Sequence, residues 1–300
     1  MTDGPHLQEL GEDAVVRAII QNLPTGPDVR VGAGDDCAVI GAATARKWTL
    51  LKTDVVIEGI HFEPGTEPRR VGWKALCRAL SDIAAMGGTP KHALITVAVS
   101  SNTTLRWVVD LYAGIRAAAD QHAVSIVGGE TSRSPGPAFI NVALTGEVLR
   151  AHCVLRSGGS PGDSLYVTGL LGGSRTGKHL DFQPRLAEGI YLGKTAHPSA
   201  MMDLSDGLAK DLPRLAEASG CSFTVDTENV PRAPQCTLEQ ALGDGEDFEL
   251  LFAVPPNRAT NLSKKWRRRF PNTPLTRVGE LTPPIAKSTD LRAHGHDHFQ

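Results

Sequence analysis

Long hydrophobic runs are missing from this 300-residue chain. No apolar stretch approaches the roughly 20 residues that a membrane-spanning helix needs, so a helical membrane protein is not expected. The opening MTDGPHLQEL has no basic segment followed by an apolar one and does not read as a secretory signal. Cysteine is sparse. Cys37, Cys77, Cys153, Cys221 and Cys236 are scattered, odd in number, and form no CxxC pair. That argues against a disulfide framework or cysteine-ligated zinc, and it suits reduced thiols in a cytoplasm. An excess of either charge is missing too. The formal net charge of −2 gives the surface as a whole no attraction for nucleic acid, and KKWRRRF (264–270) reads as a solvated helix face. No internal repeat and no low-complexity segment is present.

What remains is a globular composition, 41% hydrophobic and 21% charged, with mixed periodicities. GEDAVVRAIIQNL (11–23) has helical spacing at Val15, Ile19 and Leu23. RRVGWKALCRALSDIAAMGG (69–88) repeats apolar residues at Leu76, Leu80 and Ile83, with Gly87 suited to the helix end. LRWVVDLYAGIRAAADQH (105–122) predicts a second long helix. HALITVAVS (92–100), VSIVGG and AFINVALTGEVL predict strands. RSGGSPGDS (156–164) concentrates turn residues and marks a domain boundary, which gives an N-terminal domain over 1–150 and a C-terminal one over 151–300. Beyond it, SLYVTG and EDFELLFAV (246–254) predict strands. DLPRLAEASG predicts a helix with Asp211 as N-cap, Pro213 in the first turn and Gly220 at the end. The expected fold class is therefore α/β (α+β).

Acidic residues recur among small and apolar ones. They are Asp35 and Asp36 in GAGDDCAVI, Asp54 in LLKTDVVIEG, Asp82 in LSDIAAMGG, Glu130 in IVGGETS, Asp203 and Asp206 in MMDLSDGL, and Asp244, Glu246 and Asp247 in LGDGEDFELL. Several desolvated carboxylates cannot all remain ionised without compensating positive charge. Either they sit in separate turns or they converge on cations. Aspartates with a threonine nearby, and few histidines or cysteines, are hard oxygen donors that suit Mg²⁺ completed by phosphate oxygens and water. The residues therefore point to Mg²⁺, a polyphosphate and phosphoryl transfer.

A second phosphate pattern weakens on inspection. GGSRTGKH (172–179) matches G-x-x-x-x-G-K, but His179 stands where a P-loop needs Ser or Thr, and Pro184 interrupts the helix that should follow. A glycine-rich turn with an exposed Lys178 is the better reading.

GEDAVV, GAGDDCAVI, KTDVVIEGIHF, KALCRALSDIAAMGGTP, VGGETSR, RSGGSPGDSLYVTG, DLSDGLAKDL, GDGEDFELLF and the closing GHDHF, in this order, resemble the thiamine-monophosphate kinase family. That family lies within the superfamily of aminoimidazole ribonucleotide and selenophosphate synthetases. The resemblance implies a two-domain synthetase-like fold whose N-terminal sheet domain forms a dimer interface and whose C-terminal half is an α/β sandwich. It implies a cytoplasmic homodimer that uses ATP and Mg²⁺ to phosphorylate thiamine monophosphate to thiamine diphosphate by direct in-line transfer. It places Asp36, Lys52, Thr53, Asp54, Asp82, Glu130, Asp203 and Asp206 on metal positions. Gly129, Glu130, Arg156 and Ser205 fall on nucleotide positions, and His61, Glu246 and Ala293 on acceptor positions. Asp54, Arg156 and Asp206 fall on catalytic ones. Nucleic acid and membranes are not among the implied partners. The chain departs from the family pattern at Glu130, where aspartate is usual, at Lys52, often serine, and at Ala293, usually aromatic. A related ATP-dependent synthetase with another acceptor, or a non-catalytic nucleotide-binding paralogue, would carry many of the same residues.

Overall fold

The computed structural model describes residues 5–291. Two short helices, α1 (Leu7–Leu10) and α2 (Glu12–Ile20), precede a six-stranded sheet. Its strands are β1 (Val29–Val31), β2 (Ala38–Ile40), β3 (Lys47–Ile57), β4 (Thr89–Val99), β5 (Ser125–Arg133) and β6 (Phe139–Leu149), in the order β1-β2-β3-β6-β4-β5. Neighbours are antiparallel except β4 and β5, which run parallel because helix α4 (Leu105–His122) crosses between them. β6 alternates strictly, burying Ile140, Val142 and Leu144. That buried face carries α3 (Pro68–Ala85) and α4, and the opposite face leaves Leu51, Leu94 and Val127 exposed. Gly72 of α3 and Gly114 of α4 permit a backbone-to-backbone approach, since a Cβ at either would overlap the other helix's main chain.

Helix α3 fixes the position of the site. Pro68 stands in its first turn, where a missing N–H costs nothing, and Gly87 takes φ 67° just past its end. It is buried on nearly every side, against β3 and β6, against α4, and against the C-terminal half. Lys74, Arg78 and Asp82, spaced i, i+4, i+8, therefore share one face of a helix that solvent barely reaches.

The second sheet contains β7 (Ser164–Thr168), β8 (Ala200–Asp203), β9 (Ser222–Val225), β10 (Leu250–Val254) and β11 (Leu275–Thr282), in the antiparallel order β8-β10-β7-β11-β9. Three short helices, α5 (Lys178–Asp181), α6 (Leu186–Tyr191) and α8 (Leu238–Gly243), and the longer α7 (Leu208–Ala218) and α10 (Leu262–Arg269) surround it, with the one-turn α9 (Pro256–Ala259) between. β8 and β10 are buried throughout. One face packs on α7 and α8 through Met202, Leu251 and Ala253, the other on α10 through Met201, Phe252 and Trp266. The chain is thus mixed α/β with two sheets, as its periodicities predict.

Two local expectations fail. Helix α7 begins at Leu208 after Gly207, so Pro213 lies inside it and Asp211 is not its N-cap. Asp211 is fully buried, and its carboxylate accepts a hydrogen bond from the Asp206 amide at 2.9 Å, closing the loop before the helix. Strand β10 begins at Leu250, not Glu246. Gly245, Glu246 and Phe248 take φ of 70°, 54° and 51°, the left-handed region. The Glu246 and Phe248 amides donate to the carbonyls of Ser205 and Leu204 at 2.7 and 2.8 Å instead of to a strand. A non-glycine residue in that region is uncommon and here marks a turn held by its surroundings.

Candidate active site

Asp36 precedes β2, Asp82 sits on α3 and Asp203 ends β8. One carboxylate oxygen from each lies within 4.8 Å of the others, and all three residues are buried. Burial, reinforced by neighbouring aspartates, drives Asp82 well above the usual carboxylate range despite Lys52. It raises Asp203 to about 6, with Asp36 adding to the effect and the Ser81 hydroxyl, 2.6 Å away, opposing it. Asp35, beside Asp36, rises to about 7 for the same first reason. Asp54 behaves oppositely. Burial disfavours its charge, but Arg78 and Lys52 outweigh that and hold it below the usual value.

The cluster fits Mg²⁺. Its donors are all hard oxygens, and Asp36 Oδ2 is buried with no hydrogen-bond partner, an acceptor aimed at nothing the chain supplies. Arg156 binds the other oxygen of Asp36 through Nε at 3.1 Å and through Nη2, and its amide donates to Asp35 at 3.1 Å. Lys52 places Nζ 2.7 Å from Asp82 Oδ1. An ammonium has no lone pair, so this side chain acts as a counter-ion and not as a metal ligand. Its neighbour Thr53 points away. Strand alternation puts the Thr53 hydroxyl on the opposite sheet face, 3.0 Å from Asn141.

Asp206 is not in the cluster. It turns to Arg214 at 2.5 Å and Lys210 at 3.7 Å, and Arg214 is held in turn by Asp13 of α2. With Ser205 it lines a cavity of about 460 Å³ whose other walls include His61, Arg78, His179 and Glu246. Gly129 and Glu130 are elsewhere. Both lie exposed on the edge strand β5, where Glu130 aligns through Thr96 and Asn141 with Val55. Three strand spacings place Glu130 about 14 Å from β3 within one chain. Ala293 and the histidines at 294, 296 and 298 lie outside the described residues.

The residues expected on the acceptor side form a tight network. His61 is buried, its Nδ1 accepting from the Ile57 amide at 3.1 Å and its carbonyl from Lys74 Nζ at 2.5 Å. Lys74 is fully buried on α3, with Nζ 2.7 Å from Glu246 and 2.6 Å from His179 Nδ1. Burial lowers it to about 8 even though Glu246 raises it. Burial opposes the charge on Glu246 also, but His179, Lys74 and Arg78 together bring it down to about 2. Glu246 is thus an ionised carboxylate committed to protein cations, in a left-handed turn and not in the expected strand. Asp247 does diverge from it, toward Lys178 at 3.5 Å and the Gly172 amide at 3.0 Å. The sequence reading passed over Lys74 and Arg78, although the i, i+4, i+8 charges on a helix this apolar were a visible signal.

The P-loop pattern folds as two left-handed glycines, a 3₁₀ turn, a third left-handed glycine at Gly177 and the short α5, which stops before Pro184. Lys178 is partly buried, donating to the Leu170 carbonyl at 2.9 Å beside Asp247, so it is not simply exposed. Lys178→Ala is expected to leave ATP affinity within a few-fold of the parent while costing about 1 kcal/mol of stability through Asp247. Calorimetry and thermal melting separate the two effects; a collapse of ATP affinity would restore the P-loop.

The crowded acids predict a pH dependence. Asp35, Asp203, Asp211 and Asp247 are all raised, chiefly by burial, to between about 6 and about 8. Between their unfolded and folded values the native chain holds more protons, so stability falls as pH rises from about 4 to about 8. Asp82, also raised by burial, acts with them, while His122, lowered by burial, and, below about pH 5, the lowered Asp54 and Glu246 work the other way. The melting temperature in a chelator should therefore fall from about pH 5 to about pH 7, and Mg²⁺ should narrow the fall. A flat profile in chelator would show that these acids are better solvated than their packing implies.

Comparisons with known proteins bear on the family and the fold. The AIR synthase related protein N-terminal domain matches residues 34–148, and the C-terminal domain of the same family matches 173–285. A thiamine-monophosphate kinase of Rhodopirellula baltica is 37% identical over 85% of this chain and 84% of its own length. One from Aquifex aeolicus is 32% identical over 98% and 99%. The solved structure of AaThiL complexed with AMPPCP and TMP superposes with a TM-score of 0.85, at 30% identity, over 99% of this chain and 100% of that one. Matched from end to end in sequence and in fold, the chain belongs to the AIR synthase related family and, within it, to the thiamine-monophosphate kinases.

Proposed function

We propose that this chain transfers the γ-phosphoryl group of ATP in line onto the phosphate of thiamine monophosphate, with Mg²⁺ held by Asp36, Asp54, Asp82 and Asp203. The observation that carries this reading is that Ser205 and Asp206, on the nucleotide side, line the same cavity as His61 and Glu246, on the acceptor side. Donor and acceptor phosphates can meet there without a covalent enzyme intermediate. The relative solved with a nucleotide analogue and TMP supports both ligands. When bound, Mg²⁺ supplies charge neutralisation of the polyphosphate. The chain's own residues do the rest. Arg156 fixes Asp36, Ser81 fixes Asp203, and Lys52 neutralises Asp82, so the carboxylates are pre-oriented. An attacking phosphate oxygen is already anionic and needs no strong base, so alignment and electrostatics carry the step.

The exposed apolar residues of the first sheet, Leu51, Leu94 and Val127, support a homodimer through that face, and the turn-rich linker supports a domain division near residue 150. In a dimer, Gly129 and Glu130 on the open edge would be offered to a nucleotide held by the second copy. A coupled assay of ADP release, with thiamine monophosphate set against a panel of other phosphorylated acceptors, tests the reading. Equal or greater activity with another acceptor would replace it by a related synthetase, and no turnover with any, despite ATP binding, by a nucleotide-binding paralogue.

A further inference from the structure

Arg78 is a charged side chain of this site to which none of the preceding roles gives a ligand. It projects from α3 between the two halves of the reaction, Nη2 3.3 Å from Asp54 Oδ1 and Nη1 3.6 Å from Glu246 Oε1. Both contacts are longer than the 2.7–2.9 Å of a charge-assisted hydrogen bond. Its Nε is buried and has no hydrogen-bond partner. The guanidinium lies 5.9 Å from the centre of the Phe248 ring, and its side chain is only 13% exposed. Lys74 takes the tighter contact to Glu246, at 2.7 Å, and Arg78 adds a longer one. A desolvated, fork-shaped cation at a cavity wall, with one donor unused and the others loosely held, is built for an anion with two or more oxygens.

We propose that Arg78 binds the phosphate of the acceptor, which makes it a specificity-determining residue for phosphomonoesters. This rests on the acceptor reading given above. The cavity is two-signed. Arg78 lies deep, next to Asp54 and the carboxylate cluster, whereas Asp206 and Asp244 sit on other walls. That arrangement suits an acceptor with an anionic end toward the cluster and a cationic ring away from it. A cation loaded on Asp54 would compete with Arg78 for that carboxylate and free the guanidinium for the incoming phosphate. The other arginine of the cavity, Arg175, is exposed and donates to the Asp244 carbonyl at 3.1 Å. It is the rival candidate.

The test compares thiamine monophosphate with thiamine, which lacks the phosphate. Affinities for both are measured by calorimetry with Mg²⁺ and a non-hydrolysable ATP analogue present, in the parent, Arg78→Gln, Arg78→Lys and Arg175→Gln. The ratio of the two affinities reports the phosphate contact alone. It should fall about tenfold or more in R78Q and less in R78K, with thiamine and nucleotide affinity nearly unchanged and R175Q close to the parent. An unchanged ratio in a folded R78Q overturns the assignment, as does a loss confined to R175Q. If R78Q does not fold, R78K decides: it keeps the charge but loses the fork, and a parental ratio there overturns the assignment. If the parent binds neither thiamine compound, the acceptor reading fails while Arg78 is still tested with inorganic phosphate. Phosphate binding must then be present in the parent and lost in R78Q, and its absence from the parent overturns the proposal.

Discussion

Asp82→Asn is expected to lower turnover by about three orders of magnitude and to leave the chain folded. Asp82 is central among the carboxylates, with Asp36, Asp54 and Asp203 all raising its proton affinity and Lys52 at 2.7 Å opposing them. The amide keeps the shape and removes the charge, so the divalent ion and its phosphates lose a ligand where charge develops. The apo protein loses at the same time a desolvated carboxyl whose ionisation its acidic neighbours oppose, and its melting temperature in chelator should hold or rise. The gain in melting temperature on adding Mg²⁺ should shrink, because linkage makes that gain a measure of ion affinity. Asp54→Asn makes the contrast. Its turnover should fall comparably, but Arg78 and Lys52 currently hold Asp54 charged, so stability should fall as well. Full turnover in both variants would sink the metal assignment. An unaltered Mg²⁺ response in Asp82→Asn would move the ion away from α3.

How much of this was legible in advance follows from the scale on which each feature is determined. Long periodic segments were readable because burial on one face writes itself into spacing. Helix α4 coincides with the predicted 105–122, and β6 shows its alternation residue by residue. Asp36, Asp82 and Asp203 are three of ten acids that the sequence sets in small and apolar company, where desolvated carboxylates either sit in separate turns or converge on cations. The miscast residues are those whose direction depends on partners far away in the chain. Glu246 sits in a run that reads as strand, but the amides of 246 and 248 are captured by Ser205 and Leu204, some forty residues earlier. Asp211 looks like a cap beside Pro213, yet the Asp206 amide recruits it and the helix starts ahead of it. Thr53 and Lys52 are adjacent in sequence and opposite in space, since only the pairing of β3 decides which face meets α3. Lys74 and Arg78 were readable in principle, because a buried helix does not carry aligned charges without ionic partners.

Those partners set the last expected result. Glu246→Gln should cost about 3 kcal/mol of stability and impair use of thiamine monophosphate far more than ATP binding. Glu246 faces the fully buried Lys74 at 2.7 Å, with His179 at 3.0 Å and Arg78 at 3.6 Å behind it. Its own proton affinity is brought down to about 2 against the pull of burial, so the charge is present throughout the neutral range. Removing it leaves Lys74 buried with the His61 carbonyl and the His179 ring as its hydrogen-bond partners. Lys74 already lies lowered to about 8 and is supported there by Glu246, so without that support it falls further and loses its proton nearer neutrality. The sign for stability follows. A lysine lowered in the folded state makes the native chain bind fewer protons than the unfolded one, so the variant should gain stability as pH rises through the neutral range toward about 10. The parent should show that gain only above about 8. Lys74→Met alone should also be destabilising, because it strands the carboxylate beside Arg78. The double variant Glu246→Gln, Lys74→Met should lose less than the sum of the singles, with a coupling of about 1 to 3 kcal/mol. Denaturant titrations of the four proteins at two pH values measure both effects. Additive losses with no pH dependence would mean that Glu246 and Lys74 are solvated separately and that Glu246 is free to meet the cationic ring of the acceptor directly.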